Sequence, residues 1–289
     1  IVGLSWLYFR YETFPQVEGF FFGVNPAVIA LIGWSCYRMS KSAITDWKLA
    51  ILFVASFLAT WLVRFDVLLL LVIAGGIGIL VYAPFHKRVK LPAVLWFAGA
   101  GGFLHPLIES HYVALLLFFL KVGAFIYGGG LVIIPFIEQE VVGKLGWMTS
   151  SQFLDGVALG QITPGPVVIT AAFVGYKVAS FLGAAVATFG IFFQSFIFIL
   201  VAGKSLDRVR NMPTAKAFLK GVNAAVVGAI LGASVGLGKT ALFHGWALES
   251  ALTTAIAVLC FWLILRFKVD TGYLIVGSGI SGLILRQVL

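Results

Sequence analysis

The segment PQVEGFFFGVNPAVIALIG, residues 15–33, returns as PTAKAFLKGVNAAVVGAIL, residues 213–231, always 198 positions later (223 − 25 = 198). The leading proline, the phenylalanine at the sixth position and the Gly-Val-Asn triplet keep their places in both copies. Further residues of the first copy also reappear in the second, namely Lys41, Arg64 and Phe65 as Lys239, Arg266 and Phe267. The spacing therefore predicts two copies of one structural repeat within this chain.

Composition predicts an all-α polytopic membrane protein. The 289 residues are 61% hydrophobic and 11% charged, with a mean hydropathy of +1.06, which leaves too little polar surface for a soluble domain. Strand patterns of the barrel kind are absent, so helices are the expected spanning elements in the lipid bilayer. Candidate helices are the apolar stretches at residues 20–37, 49–63, 67–83, 91–103, 112–136, 162–176, 181–203, 218–237, 251–265 and 273–285.

Loop charges indicate that the two copies are inverted with respect to each other. Residues 10–18 carry one base and two acids, whereas the corresponding residues 204–220 carry five bases and one acid. The next pair reverses this order, since residues 38–48 carry three bases and one acid and residues 239–249 are balanced. Basic loops collect on the cytoplasmic side, so corresponding loops are expected on opposite sides of the membrane.

The repeat also predicts how the chain is divided. Counting back 198 positions from residues 128–130 leads to a point before residue 1, so we expect the first copy to lack its beginning. The predicted parts are residues 1–83, the later part of the first copy; 84–111, a linker with a connecting helix; and 112–289, a complete second copy. Two inverted halves with broken helices at the membrane midplane are typical of secondary transporters, which work by alternating access.

The first predicted break in a helix is glycine-rich. Gly128, Gly129 and Gly130 follow one another inside an apolar stretch, where they weaken a helix unless the backbone lines a cavity or binds a ligand. Lys121 lies in the same stretch, and an ammonium inside a membrane is a candidate functional group. The alternatives are a close helix crossing at the glycines and a lysine that snorkels or pairs with a carboxylate.

The second predicted break surrounds a Pro-Gly-Pro turn. A helix is expected to begin near it, because the fixed φ of proline suits a first helical turn, and its free N–H groups would attract an anion. An ordinary interfacial turn is the alternative reading. The candidate anion-binding residues of this segment are Gln161, Thr163, Pro164, Gly165, Pro166 and Thr170.

The order of these motifs resembles the chromate ion transporter family. The carrying residues are Lys121-x-Gly123, Gly128-Gly129-Gly130, Trp147, Gln161-x-x-Pro164-Gly165-Pro166 and Gly175-Tyr176. The resemblance covers essentially the whole chain. It implies a multi-pass protein of the bacterial inner membrane that expels chromate by antiport with protons, with sulfate as a related substrate. It also implies functional roles for the glycine triplet, the Pro-Gly-Pro turn, Lys121 and Gln161.

Other polar residues suggest further roles. Glu138, Glu140 and Asp155 lie between the two predicted breaks and are candidates for a proton relay, although a solvated face is the commoner place for such residues. Asn25 and Asn223 occupy the same position in the two copies. They are expected either to meet across the pseudo-twofold axis or to cap helices.

Several other functions find no support in the sequence. Cys36 and Cys260 are isolated within apolar stretches, and the four histidines are scattered, so neither a disulfide framework nor a metal site is predicted. The glycine triplet is not followed by the Lys-Ser/Thr of a phosphate loop. We expect no cofactor, no enzymatic activity and no nucleic-acid partner, since basic loops explain most of the net charge of +9. A transporter of sulfate or another small anion and a non-transporting membrane protein are the alternatives.

Overall fold

The structure is a computed structural model, which describes residues 1–83, 111–124, 133–202, 212–243, 247–267 and 269–288. Within these ranges the chain is helical and contains no β-strand. Four helical stretches are long and apolar enough to cross a membrane, at Pro15–Ala43, Val167–Ile197 (interrupted at Ala179 and Ser180), Pro213–Leu242 and Ala247–Phe267. The predicted all-α polytopic membrane fold is confirmed. The expected connecting helix at residues 91–103 and the glycine triplet at 128–130 lie outside the described residues.

The helices occur in the following order. The first four are α1 (Val2–Tyr11), α2 (Pro15–Ala43), α3 (Trp47–Leu58, extended by a π-helical turn at Ala59–Val63) and α4 (Val67–Tyr82). The next four are α5 (His111–Ala124), α6 (Ile133–Ile137, continued by a π-helical turn at Glu138–Lys144), α7 (Ser150–Ile162) and α8 (Thr170–Ala202, preceded by a 3₁₀ turn at Val167–Ile169). The last three are α9 (Pro213–Leu242), α10 (Ala247–Phe267) and α11 (Thr271–Val288).

The repeated segments form the two longest uninterrupted helices of the described chain, α2 and α9. Both begin with a proline that follows an extended residue, Phe14 (φ −75°, ψ 137°) in one case and Met212 (φ −67°, ψ 129°) in the other. Proline suits this position because its φ is already helical and the first N–H groups of a helix have no intrahelical partner. The 29 and 30 residues give each helix a length of roughly 44 Å.

Each long helix packs against the last helix of the other copy. The ring of Phe20 on α2 lies directly over Gly279 on α11, and the ring of Phe218 on α9 lies directly over Gly75 on α4. A Cβ atom at either glycine would overlap the ring that covers it. Phe20 and Phe218 are 198 positions apart in the repeated segments, so two residues that match in sequence make the same kind of contact with a glycine.

Backbone-to-backbone contacts extend both interfaces. Gly23 on α2 touches Gly282 on α11, and Gly221 on α9 touches Gly78 on α4, so closely that a Cβ at any of the four would overlap the opposite backbone. Small residues allow membrane helices to approach in this way, which increases van der Waals contact where water provides no driving force. The two repeat copies are therefore interlocked by glycines.

Polar contacts at the helix ends define two sides of the bundle. On the Arg286 side, the guanidinium at the end of α11 contacts Glu18 near the start of α2 (2.8 Å) and Glu249 near the start of α10 (3.0 Å). On the Tyr82 side, the hydroxyl at the end of α4 donates to Asp46 before α3 (2.6 Å), and the ammonium of Lys220 near the start of α9 lies 5.2 Å from the Tyr82 ring. Helix α2 therefore starts on the Arg286 side and α9 on the Tyr82 side, so the two run antiparallel.

Helix α7 and the first part of α8 form a hairpin. Gly156 packs against the ring of Phe173, and Gly160 packs against Thr170, so the chain after the turn runs back along α7. With 13 residues, α7 is about 20 Å long, shorter than a hydrocarbon core of ~30 Å. Residues 162–176, one of the predicted apolar stretches, contain the tip of this hairpin and its returning arm. Helix α7 itself was missed because its sequence is too polar for the hydropathy criterion.

Helix α8 is interrupted where the returning arm ends. Ala179 (φ −146°, ψ 36°) and Ser180 (φ 52°, ψ −145°) are not helical. The backbones of Gly175 and Gly183 touch across this interruption, so the second part of α8 folds back against the first. The left-handed φ of Ser180, unusual for a residue other than glycine, is stabilised by this close packing.

Alanine at Gly75 or at Gly279 is expected to destabilise the protein by about 1–3 kcal/mol, because the new Cβ would overlap a phenylalanine ring. Alanine at Gly76 is expected to be neutral or to stabilise by up to ~1 kcal/mol, since a Cβ there meets no atom and alanine is the better helix former. Thermal unfolding in detergent measures all three variants. Phe20→Leu should restore the stability of Gly279→Ala but not that of Gly75→Ala, because Phe20 covers Gly279 and Phe218 covers Gly75. Equal restoration of both variants would contradict these two contacts.

Candidate functional site

Of the three acids predicted as candidates for a proton relay, only Asp155 is almost fully buried. It lies on α7 and is 5% exposed. Its two carboxylate oxygens accept hydrogen bonds from the hydroxyl of Tyr8 on α1 (2.6 Å) and the amide of Asn25 on α2 (2.9 Å). A buried carboxylate is costly unless such donors are present. We call Asp155, Tyr8 and Asn25 the Asp155 cluster.

Neighbouring structure fixes the position of this cluster. A capping box in which Thr149 and Gln152 exchange hydrogen bonds starts α7, and the ring of Tyr8 lies edge-on to Phe21 (5.3 Å) and tilted against Phe173 (5.4 Å). The amide oxygen of Asn25 is buried without a hydrogen-bond partner among the described residues. The cluster therefore contains one oxygen atom that can accept a further hydrogen bond.

An acidic cavity of about 690 Å³ borders the Asp155 cluster on the Arg286 side. Its charged lining consists of Glu12, Glu18, Asp155, Glu249 and Arg286. Four carboxyl groups against one guanidinium repel an anion and attract cations. The cavity is therefore suited to bringing water and protons to Asp155.

A basic cavity of about 410 Å³ lies beside it. Its charged lining residues are Arg64, Lys144, Lys239 and Glu138. Thr240, near the end of α9, lines both cavities. The two neighbouring cavities thus carry opposite charge, which makes the basic one the better environment for an anion.

The loop that carries Arg64 is held in place by Gln139. The Gln139 amide donates to the carbonyls of Arg64 (2.6 Å) and Phe65 (2.8 Å), and its oxygen accepts from the N–H of Val67 (3.1 Å). Arg64 has a left-handed backbone (φ 51°, ψ 39°), which is unfavourable for residues with a Cβ. The three hydrogen bonds offset this cost and fix Arg64 in the cavity wall.

Lys121 is not an isolated charge. Its ammonium lies 3.3 Å from Glu140, which also pairs with Lys144 (2.9 Å), and Lys144 pairs in turn with Asp66 (2.9 Å). The predicted alternative in which Lys121 pairs with a carboxylate therefore matches the geometry. Glu140, a candidate for the proton relay, is shared between two lysines.

This network also shifts two pKa values. Burial by itself would raise the pKa of Asp66, but the hydrogen bonds from Lys144 and from the Leu69 N–H, with the nearby lysine charges, lower it below its ordinary value. Burial likewise would lower the pKa of Lys144, but its bonds to Glu140 and Asp66 raise it. Both shifts favour the charged forms of Asp66 and Lys144, which strengthens the ion pair between them.

The Pro-Gly-Pro segment breaks the helix as the sequence predicts. Helix α7 ends at Ile162, Pro164, Gly165 and Pro166 are exposed, and the next helical turn starts one residue after Pro166. Gly165 has φ +150°, a conformation that glycine adopts readily. The hydroxyls of Thr163 and Thr170 bond to carbonyls of their own turns, at Leu159 (2.7 Å) and Val167 (2.8 Å).

The structure separates the predicted binding residues from the two cavities. Those within the described ranges that line neither cavity are Lys121, Gln161, Thr163, Pro164, Gly165, Pro166 and Thr170. Gly128, Gly129 and Gly130 lie outside the described residues. The structure does bring Asp155 and Asn25 together, and it places Glu138 in the wall of the basic cavity.

The predicted helix-capping role of Asn25 and Asn223 is wrong. Both lie well inside long helices, Asn25 in α2 and Asn223 in α9. Asn25 bonds to Asp155 instead, and Asn223 is exposed. The capping hypothesis failed because the helices begin at Pro15 and Pro213, earlier than the apolar pattern indicated.

Sequence reasoning missed Tyr8 and did not recognise Arg64 and Lys239 as site residues. Arg64 and Lys239 appeared only as matches between the two copies, and nothing local distinguished them from Arg266 and Lys41. No group of three or more histidine, cysteine or acidic side chains that could hold a metal ion occurs in the described part of the chain. The described residues that line the two cavities supply carboxylates, amides, hydroxyls and cations.

Comparison with known proteins gives a family. Residues 1–79 and 113–283 match the model of the family described as chromate transporter. A probable chromate transport protein of Synechococcus elongatus is 33% identical over 292 residues, covering 98% of this chain and 73% of the relative. Chromate transport proteins of Cupriavidus metallidurans and Pseudomonas aeruginosa are 31% and 33% identical, covering 98% and 96% of this chain and 71% and 70% of the relatives. No solved structure matches the chain.

Replacing Asp66 by asparagine should reveal how much its ion pair with Lys144 contributes to the stability of the protein. The lowered pKa of Asp66 contributes stability above the unfolded-state pKa of ~3.9, and this stability is lost as the pH falls through the folded-state pKa. Asparagine keeps the helix cap but not the charge. The wild type should unfold at a higher temperature than Asp66→Asn at about pH 7, and the difference should shrink below about pH 4. A difference in unfolding temperature that stays constant across this pH range would contradict an electrostatic origin of the stabilisation by Asp66.

Proposed function

The chain belongs to the chromate transporter family, and on that premise we propose that it exports chromate across the membrane in exchange for protons. Members of this family are transporters, so the chain is assigned to transport and not to catalysis. The relatives that are named chromate transport proteins align with nearly all of it. The observation that carries the coupling proposal is the buried Asp155 beside an acidic cavity.

Asp155 is proposed to carry the coupled proton. Its charge is opposed by burial and favoured by the hydrogen bonds from Tyr8 and Asn25, so a small change in their positions alters which form is stable. The three side chains come from α1, α2 and α7. Any movement of the α7 hairpin relative to the long helices therefore changes the proton affinity of Asp155, which is the requirement for coupling.

The two copies are proposed to be inverted in the membrane. The antiparallel directions of α2 and α9 support this arrangement, as do the contacts of Phe20 and Phe218 that exchange the copies. Residues 10–18, which lead into α2, carry one base and two acids, while residues 204–220, which lead into α9, carry five bases and one acid. By the positive-inside rule, the Tyr82 side is then proposed to face the cytoplasm, with the protein in a bacterial inner membrane.

The broken helices are proposed to bind the substrate in the interior part of its path. The tip of the α7 hairpin, at Pro164 to Pro166, lies about 20 Å along α7 from the Arg286 side, an interior depth in a bilayer. Free backbone N–H groups at such a tip favour an oxyanion. We include the glycine triplet at 128–130, together with Lys121 and Gln161, in this proposed substrate path, through which alternating access would move the anion.

Asp155→Asn keeps the size of the side chain but cannot carry a proton. In proteoliposomes, we expect chromate flux driven by a pH gradient to fall at least tenfold, which corresponds to about 1.4 kcal/mol, while chromate–chromate exchange continues. Asp270→Asn is the matched control, because that exposed carboxylate precedes α11 on the Tyr82 side and bonds only the Gly272 N–H in the described chain.

Three outcomes would contradict parts of this proposal. Undiminished gradient-driven flux in Asp155→Asn would remove Asp155 from the coupling mechanism. Transport of sulfate without transport of chromate by the wild type would change the substrate. Absence of flux for both anions in well-folded wild-type protein would favour the non-transporting alternative.

The inversion is tested by labelling repeat partners. Ser42 and Thr240 are 198 positions apart, exposed, and near the ends of α2 and α9. With the buried Cys36 and Cys260 replaced by alanine, Ser42→Cys should react with an impermeant maleimide from the cytoplasmic side and Thr240→Cys from the opposite side. Reaction of both from the same side of intact vesicles would exclude the inverted arrangement.

A further inference from the structure

The basic cavity contains two cations, Arg64 and Lys239, that form no salt bridge with the residues that the structure describes. Lys144, by contrast, is engaged by Asp66 and Glu140 at 2.9 Å each. Only Glu138 lines the cavity as an acid, and it interacts electrostatically with Arg64. Two cations that line one cavity repel each other, and an anion bound between them would offset this repulsion.

A buried hydroxyl in the same wall also has no partner. The Oγ1 atom of Thr60, at the π-helical end of α3, is inaccessible and makes no hydrogen bond with the described residues. Buried polar atoms are almost always hydrogen-bonded in folded proteins, so this hydroxyl is a hydrogen-bonding group that the described residues leave unused. Ser150 and Thr240 place two further hydroxyls in the lining.

The cavity also has the space for an anion. Its α9 wall includes the small residues Gly232, Ala233 and Gly236, and a Cβ placed at Gly236 would meet no atom within 4 Å. A volume of about 410 Å³ holds roughly a dozen waters at ~30 Å³ each. A tetrahedral oxyanion therefore fits together with part of its hydration shell.

We propose that this basic cavity is a binding vestibule for a divalent tetrahedral oxyanion, held by Arg64 and Lys239. The vestibule lies on the Arg286 side and is separate from the broken helices proposed above as the interior part of the path. Its two cations match a dianion in charge, and the planar guanidinium of Arg64 can bind two oxyanion atoms at once. The inference rests on the proposed function, because it names where the transported anion meets this side of the protein.

The repeat supplies matched controls for both cations. Lys239 corresponds to Lys41, whose ammonium lies 4.5 Å from the Tyr37 ring, and Arg64 corresponds to Arg266, which lies 5.6 Å from the Phe267 ring. Neither control residue lines the cavity. Loss of charge at these positions has the same effect on net charge without touching the vestibule.

Trp61 provides a direct readout because it lines the vestibule. Chromate absorbs light where tryptophan emits, so its binding near Trp61 should quench the fluorescence of the purified full chain in detergent. Trp61→Phe should lose this quenching component. Lys239→Gln and Arg64→Gln should each weaken chromate binding at least tenfold, about 1.4 kcal/mol, while Lys41→Gln and Arg266→Gln should bind like the wild type.

Competition and conservative variants complete the test. Sulfate should displace chromate, whereas nitrate at equal ionic strength should not, because a monovalent planar anion satisfies neither the charge nor the shape. Arg64→Lys should retain part of the affinity, which separates loss of charge from misfolding at the left-handed backbone position. Equal binding by all four glutamine variants, or equal displacement by nitrate, would overturn the proposal.

Flux measurements distinguish this inference from the proposed function. If the wild type transports chromate while Lys239→Gln and Arg64→Gln bind and transport it normally, the vestibule assignment is wrong and the function stands. If the wild type binds chromate at Trp61 with the expected dependence on Arg64 and Lys239 but transports none, the vestibule stands and the function is wrong.

Discussion

The contact of a phenylalanine ring with a bare glycine backbone, made twice, is the constraint on which the structure depends. Phe20 covers Gly279, and Phe218 covers Gly75, so the first long helix of each copy is completed by the last helix of the other. Within a bilayer, helices associate through close packing because lipid gives no hydrophobic reason to leave it. The long helices α2 and α9 therefore each depend on a helix from the other repeat segment for this close packing, and they run antiparallel.

That relation places the functional groups. With α2 starting on the Arg286 side, Asn25 is near enough to α7 to donate to Asp155. With α9 ending on the same side, Lys239 and Thr240 reach the basic cavity. The start of α2 therefore lines the acidic cavity and the end of α9 lines the basic one, and Thr240 lines both.

Much of this could be predicted from sequence because it follows from local rules. The repeat, the membrane class and the helix break at Pro164 to Pro166 depend on identity, hydropathy and the missing N–H of proline. The pairing of Asp155 with Tyr8 and Asn25 could not be predicted, since 147 and 130 residues separate the partners and no pattern links them. Helix α7 was missed for a related reason, because its hairpin is stabilised by glycine contacts and not by an apolar length.

The separation of the two cavities bears on the direction of coupling. A proton and a dianion attract each other, and the attraction strengthens as their distance falls. A carboxyl group beside the bound anion would take up its proton together with the anion, and both would then move the same way. Glu138, in the wall of the basic cavity, has this position. Asp155 lies in the other cavity, so in the proposed exchange its protonation and the binding of the anion belong to different conformations.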